Sequence, residues 1–165
     1  MISIRSNTFE TNSSSTHAIC ISKTLPENFP YKYFNFRIGE YGWEESDAVA
    51  SNYLYTAILC CFNKEDREDY LKYLKDTLDK HQIQYEFEEP KWYNDDEESG
   101  LCSGYIDHED CLIPMLNDIR KDEALLLRYL FTASIYTHND NTPENYAEEM
   151  YDALSCTNDC YFKGN

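Results

Sequence analysis

Basic side chains are scarce in this sequence. Its 165 residues include 14 Lys and Arg against 31 Asp and Glu, which gives a formal net charge of −17 at pH 7. The imbalance argues against nucleic acid or an anionic membrane as a direct ligand, because surfaces that bind either one are rich in Lys and Arg. Such an excess of one sign also destabilises a compact chain by self-repulsion. We therefore expect it to serve a basic partner, with solubility or a saline habitat as the alternative explanations.

Long apolar segments are missing as well. No apolar run approaches the roughly 20 residues of a transmembrane helix, and residues 1–5 (MISIR) lack the apolar region of a signal peptide. These absences lead us to expect a cytoplasmic protein. The seven cysteines are an odd number, and a cytoplasmic compartment is reducing, so a full disulfide framework is not expected. Buried thiols, metal ligands or a nucleophile remain as their roles.

What the sequence does contain is typical of a folded protein, since aromatic residues make up 15% of the chain. Hydrophobic periodicity predicts strands at residues 2–4, 17–22, 31–38, 83–87, 101–106 and 134–137. It predicts helices that begin at Ser46, Asn63 and Asp107, and further helices over 125–131 and 142–154. Pro114 is expected to break or kink the helix that follows Asp107. The pattern indicates one α+β domain, residues 1–165, with a mostly antiparallel sheet and about four or five helices.

The segment 9–17 (FETNSSSTH) combines a carboxylate, an amide, five hydroxyls and an imidazole next to an apolar strand. One interpretation is nucleophilic, with a serine activated by His17 and oriented by Glu10, although this spacing does not establish a triad. A phosphate cradle requires glycines that let backbone N–H groups converge, and the segment has none. The remaining interpretation, which we favour, is a loop whose side chains bond their own backbone.

This segment is similar to an N-terminal signature of small proteins from phages and prophages of Gram-positive bacteria. Two later segments fit the same pattern, namely residues 39–44 together with 53–57, and residues 137–141. The resemblance implies an accessory protein of a mobile element that acts inside a bacterial host cell. Small acidic phage proteins of this kind include counter-defence factors, among them anti-CRISPR inhibitors of Cas9-type effectors. The resemblance implies no particular chemistry for any residue.

The acidic residues are clustered along the chain. On the predicted strand, Glu86 and Glu88 point to the same side about 6.6 Å apart, whereas duplex DNA carries a charge about every 1.7 Å of its axis. One strand therefore mimics DNA poorly, and two or three clusters together are needed for a comparable field. Trp92 and Tyr93 supply aromatic anchors beside the next cluster. The candidate partner-binding residues are Glu86, Glu88, Trp92, Asp95, Asp96, Glu97 and Glu98.

Two alternatives apply to this candidate surface. The charge runs can be ordinary solvated faces, with Trp92 in the core. Calcium binding is not expected, because residues 95–98 lack the alternating ligands and the central glycine of an EF-hand loop.

Cysteine and histidine spacing suggests a structural zinc site. Cys156 and Cys160 form a C-x₃-C pair, and His108 and Cys111 form a second pair at ligand spacing, with Cys102 upstream. A Cys₃His site drawn from these five, or a Cys₂His₂ site with another of the four histidines, would tie the tail 156–165 to the segment 102–111. The alternative is that all the cysteines are small buried side chains.

The leading hypothesis is a non-enzymatic inhibitor that binds a basic nucleic-acid-binding protein, such as a Cas9-type nuclease, and blocks nucleic-acid loading. The runner-up is a metal-dependent nuclease or related phosphodiester-cleaving enzyme. It would use Glu10, His17 and Asp140 as acid–base or metal-binding groups. The negative net charge counts against a nucleic-acid enzyme. A structural or assembly protein is a third possibility.

Overall fold

The structure is a computed structural model that describes residues 15–27, 32–42, 46–93, 101, 103–107, 109–139 and 158–163. These residues form an α+β protein. Its elements, in chain order, are β1 (Ser15–Ser22), β2 (Tyr33–Phe36), β3 (Glu40–Tyr41), β4 (Ser46–Ala48), α1 (Ala50–Cys61), α2 (Lys64–Lys80), β5 (Gln84–Phe87), β6 (Tyr105–Ile106), a 3₁₀ helix (Glu109–Leu112), α3 (Ile113–Lys121), α4 (Glu123–Thr132), β7 (Ser134–Asn139) and β8 (Asn158–Lys163).

The largest sheet has four strands in the order β4-β7-β1-β8, and every pair in it is antiparallel. Two smaller two-stranded sheets, β2-β5 and β3-β6, are parallel. Parallel strands need a long crossover, and α1 and α2 provide it between β2 and β5. The rings of Phe36 and Phe87, which are register partners, stack with centroids 4.6 Å apart. The expected mostly antiparallel sheet is therefore confirmed for the main sheet.

The hydrophobic core lies between the main sheet and the four helices. Ile19 and Ile21 alternate along β1 and are fully buried, and Ile135 of β7 joins the same cluster. The buried helix side chains that meet them come from all four helices. On the other face of β1, Ala18 and Cys20 are also nearly buried. The central strand is thus covered on both faces.

Helix α2 begins where the sequence predicts, and α4 begins at Glu123, two residues before its predicted range 125–131. The side chain of Asn63 accepts a hydrogen bond from the backbone N–H of Asp66 at 3.0 Å, which satisfies one of the donors at the start of α2. Asp122 does the same for α4, accepting from Ala124 N at 2.9 Å and Leu125 N at 3.2 Å. The apolar seam of α2 then buries Tyr70, Leu74 and Leu78 completely.

Three local predictions are wrong. The helix expected to begin at Asp107 is a 3₁₀ helix over Glu109–Leu112, followed by α3 from Ile113. Residues 46–48 form the edge strand β4, in which Asp47 pairs with Tyr136 of β7, and α1 begins only at Ala50. Pro114 neither breaks nor kinks a helix, since it occupies the first turn of α3, where its missing N–H needs no partner. The predicted strand 2–4 and helix 142–154 lie outside the described residues. Among the helices that are described, none has the length and hydropathy needed to cross a bilayer.

Candidate protein-binding surface

Glu86 lies on β5, beside the parallel strand β2. Its side chain is exposed, and its carboxylate accepts a hydrogen bond from the Tyr33 hydroxyl at 3.0 Å. The hydrogen bond to this carboxylate raises the pKa of Tyr33, because ionising the phenol would place two negative charges together. Tyr33 is itself 48% exposed, so the pair offers an acceptor and an aromatic face to a partner.

Glu88 is used differently from Glu86, although both were predicted to face a partner. Its carboxylate accepts the backbone N–H of Ile38 at 3.0 Å, and its carbonyl oxygen accepts the Tyr55 hydroxyl at 2.7 Å. Burial of that phenol raises the pKa of Tyr55 to about 12, so it donates over the whole physiological range. Glu88 is half-buried and holds the end of β5 in place. The exposed acid next to it is Glu89, which the candidate list omits.

Trp92 pairs with Leu101 in an isolated antiparallel bridge, which brings together the two ends of the segment between them. The backbone N–H of Lys91 donates to the Ser103 hydroxyl at 3.1 Å and reinforces this closure. We name residues 86–101 the acidic hairpin. Asp95, Asp96, Glu97 and Glu98 belong to it by sequence but lie outside the described residues.

A buried cation supports the base of the acidic hairpin. The guanidinium of Arg67, which is 5% exposed, lies 4.2 Å from the centre of the Trp92 ring. Its Nη1 donates to the carbonyl oxygens of Leu59 at 3.3 Å and Phe62 at 3.5 Å, where α1 ends and the helix dipole is negative. Trp92 is therefore half-buried against the core and fixed in orientation.

Exposed aromatic side chains flank the acidic hairpin. Tyr93 follows Trp92 and is 60% exposed, and Tyr105, a few residues past Leu101, is 46% exposed. Large exposed aromatic residues beside charges are common among residues that dominate protein interfaces. The hairpin region thus combines carboxylates with exposed tyrosines.

The acids of α2 have other functions. This helix carries six acidic and five basic residues, so its net contribution to the charge of the surface is small. Glu65 and Asp66 lie in the first turn, where negative charge is favourable next to the helix dipole. Arg120 of α3 approaches Asp66 at 3.9 Å and Asp69 at 3.7 Å. The acids of α2 are therefore largely offset by cations of the same helix and by Arg120.

His17, the predicted base, is completely buried in β1. Its Nδ1 lies 2.6 Å from the Tyr53 hydroxyl, and its Nε2 lies 3.3 Å from the carbonyl oxygen of Gly42. A carbonyl only accepts, so Nε2 donates, and a neutral ring accepts the Tyr53 proton at Nδ1. Burial holds the pKa of Tyr53 well above its usual value. Glu10 and Asp140 lie outside the described residues, so the catalytic assignment stays a prediction.

The predicted zinc ligands are only partly described. The thiol of Cys111 is exposed, and the backbone places Cys160 in β8 opposite Cys20 of β1. Cys102, His108 and Cys156 fall outside the described residues. Among the side chains that are described, no group of three or more His, Cys, Asp or Glu is arranged to hold a metal ion. The zinc site stays a prediction.

Comparison with known proteins adds no relationship to this geometry. No protein-family model matches the sequence, and searches of curated proteins and of solved structures give no significant match. The described residues define an acidic α+β protein in which Trp92 and Leu101 bring together the ends of an acidic segment.

Proposed function

We propose that this protein is a non-enzymatic inhibitor that binds the basic nucleic-acid channel of a host defence nuclease of the Cas9 type. Binding would occupy the channel and block loading of guide or target nucleic acid. The proposed place of action is the cytoplasm of a bacterial host, where such nucleases work. The interaction surface is the acidic hairpin, with Glu86, Glu89, Trp92 and Tyr93 at its described base and residues 95–98 between its paired ends.

The observation that carries the proposal is the anchored base of the hairpin. The bridge between Trp92 and Leu101 and the contact of Trp92 with Arg67 hold the two ends of an acidic segment to the core. Fixing both ends of a segment lowers the conformational entropy that its binding to a partner can cost. The net charge of −17 supports the same reading, because a strong field of one sign steers a protein towards a basic groove.

Charge alone does not reproduce nucleic acid. Carboxylates two residues apart on a strand are about 6.6 Å apart, several times the charge spacing along duplex DNA. Glu88 also accepts a hydrogen bond from a backbone N–H, so one carboxylate of the predicted row is held by the protein itself. Shape-specific contacts must therefore contribute, and Tyr93 and Tyr105 expose large aromatic surfaces in this region. The protein acts in this proposal as an acidic ligand of the channel and not as a close copy of DNA.

A loading competition tests the proposal. A purified Cas9-type effector is mixed with labelled guide RNA and increasing amounts of the protein, and RNA binding is followed by fluorescence anisotropy. The test variant reverses Asp95, Asp96, Glu97 and Glu98 to Lys. The matched control reverses four exposed acids outside the hairpin, namely Glu27, Glu68, Asp76 and Asp118, so both variants have the same net charge.

We expect the unaltered protein and the matched control to block RNA loading. The hairpin variant should require a concentration about tenfold higher or more. Equal loss of inhibition in both variants would show that only net charge matters. No inhibition by the unaltered protein of any Cas9-type effector tested would reject the proposed function.

A further inference from the structure

Two of the seven cysteines occupy the same register position in the main sheet. Strands β1 and β8 are antiparallel, and Cys20 is the direct partner of Cys160, between the pairs Ile19–Tyr161 and Ile21–Asp159. Residues paired directly across antiparallel strands have Cα atoms about 4.5 or 5.5 Å apart, depending on the type of pair, and lie on the same face of the sheet. Disulfides form across Cα separations of about 4.4–6.8 Å. Either type of pair therefore falls within the range of a disulfide.

The position of this pair in the sheet favours a disulfide that forms and breaks with redox conditions. In the described sheet β8 is the end strand and is paired only with β1, so its attachment depends on that one ladder. Cys20 is 5% exposed, but its register partner on the other side, Ser134 of β7, is exposed. Solvent therefore reaches the register position next to the buried Cys20. Partial separation of an end strand would admit a small oxidant.

We propose that Cys20 and Cys160 form a redox-sensitive bridge that locks β8 onto β1. One thiolate attacks a small disulfide such as oxidised glutathione, which gives a mixed disulfide and releases one glutathione thiolate. The second cysteine then attacks the protein sulfur of the mixed disulfide and displaces the other glutathione. In the net reaction the two cysteines are oxidised to a disulfide, and oxidised glutathione is reduced to two molecules of glutathione. The two protons lost by the cysteines are taken up by the two glutathione thiolates.

The bridge would close a loop of about 140 residues, and cross-links over long loops restrict the unfolded chain most strongly. Oxidation should therefore raise the melting temperature by about 5–10 °C after some loss to strain. The bridge is independent of the proposed inhibitory function. It also competes with the zinc hypothesis, because a sulfur in a disulfide is not a thiolate ligand for zinc.

Peptide mapping of the full chain tests the bridge. The protein is incubated with oxidised glutathione, remaining thiols are alkylated, and the chain is cleaved before aspartate, which separates Cys156 from Cys160 at Asp159. We expect a linked peptide pair that contains Cys20 and Cys160, and the rise in melting temperature should disappear on reduction. Cys160→Ser should abolish both effects, whereas Cys111→Ser, at an exposed thiol, should keep both.

Several outcomes would overturn the bridge. They are a Cys156–Cys160 link in place of the cross-strand link, glutathione adducts without an internal disulfide, or an unchanged rise in melting temperature in Cys160→Ser. Because Cys20 is nearly buried, Cys20→Ala serves as the second variant, since it adds no hydrogen-bonding group to the site. Mapping of the unaltered chain decides the question even if both variants fold poorly.

Discussion

Arg67 is the residue on which the base of the acidic hairpin depends most. It lies three, four and seven residues before Tyr70, Leu71 and Leu74, and so falls on the apolar seam of α2. A charged residue at such a position signals a buried partner, and the structure supplies Trp92 and two carbonyl oxygens from the end of α1. The position of Arg67 in the sequence therefore indicates a buried cation with a partner, but it does not identify Trp92 or the two carbonyl oxygens as that partner.

Replacing Arg67 tests that role. Arg67→Met keeps the aliphatic volume but removes the cation from Trp92 and the donors from the Leu59 and Phe62 carbonyls. We expect a loss of about 1–3 kcal/mol in the free energy of unfolding, measured by urea denaturation. Lys72→Met, which removes an exposed cation from the same helix, should change it by less than about 0.5 kcal/mol. Equal effects of the two substitutions would refute the anchoring role.

The pair His17–Tyr53 makes a second residue-level prediction. Tyr53→Phe removes the hydroxyl that donates to Nδ1 and leaves a buried acceptor without that partner. The expected cost is about 1–3 kcal/mol in unfolding free energy, against less than about 0.5 kcal/mol for Tyr105→Phe at an exposed ring. Thermal and urea unfolding measure both. A neutral Tyr53→Phe substitution would mean that this hydrogen bond does not stabilise the fold.

The enzymatic alternative is also tested at His17. The buried, doubly hydrogen-bonded imidazole fits a structural role, and we expect no cleavage when RNA or DNA is incubated with the protein, with or without divalent metal. Cleavage that disappears in His17→Ala, while a folded Tyr105→Phe control retains it, would reverse the choice between inhibitor and nuclease.

At the scale of elements, local signals predicted the helices better than the small sheets. The cap at Asn63 and the buried seam of α2 depend only on residues that are close together in the sequence. Both were therefore predicted correctly. Ser46 carries the same type of side chain as a helix cap, but pairing of β4 with β7, about 90 residues away, makes it a strand. Periodicity holds no information about such a distant partner.

The same distinction applies to the candidate surface. Alternation along β5 correctly placed Glu86 on an exposed face. It could not show that the Glu88 carboxylate binds the Ile38 N–H, since that contact joins segments 50 residues apart. The bridge between Trp92 and Leu101 is a tertiary feature of the same kind. The sequence thus indicated an acidic surface. Only the fold shows that Glu86 is exposed on it while the Glu88 carboxylate holds a backbone N–H.

The junction between α2 and α4 predicts a pH dependence. Lys80 Nζ and His81 Nε2 each lie 2.9 Å from the Glu123 carboxylate, and these hydrogen bonds lower the pKa of Glu123 below 4.5. A lowered folded-state pKa gives stability that is present above the ordinary value and is lost as pH falls through the folded value. The unaltered protein should thus melt slightly above Glu123→Gln at pH 7, and the two should converge as the pH falls well below 4.5. A difference that grows on acidification would contradict this assignment.

The zinc hypothesis is tested by metal content and stability together. A structural site built from Cys102, His108, Cys111, Cys156 and Cys160 predicts zinc bound to the purified protein and a lower melting temperature after chelation. Cys60→Ser is a suitable control, because burial raises the pKa of this thiol to about 11 and it is not among the five candidates. A melting temperature that chelation leaves unchanged would reject the structural zinc.

At the scale of the whole molecule, the net charge of −17 is the property that the proposed function explains. The fold distributes this charge unequally. Acids of α2 are offset by basic residues of the same helix and by Arg120, while Glu86, Glu89 and Tyr93 at the described base of the acidic hairpin are exposed. In the proposed function the acidic hairpin provides the binding surface, and the total charge contributes mainly to the rate of encounter.

The most direct test is the salt dependence of binding to a purified Cas9-type effector, measured from about 50 mM to about 200 mM salt for three proteins. We predict that affinity of the unaltered protein falls steeply with salt. The hairpin charge-reversal variant should bind about tenfold more weakly or worse at low salt, with a shallower dependence, while the variant of equal net charge with reversals outside the hairpin stays close to the unaltered protein. Binding that is insensitive to salt, or equally weakened in both variants, would contradict the assignment of the acidic hairpin as the binding surface.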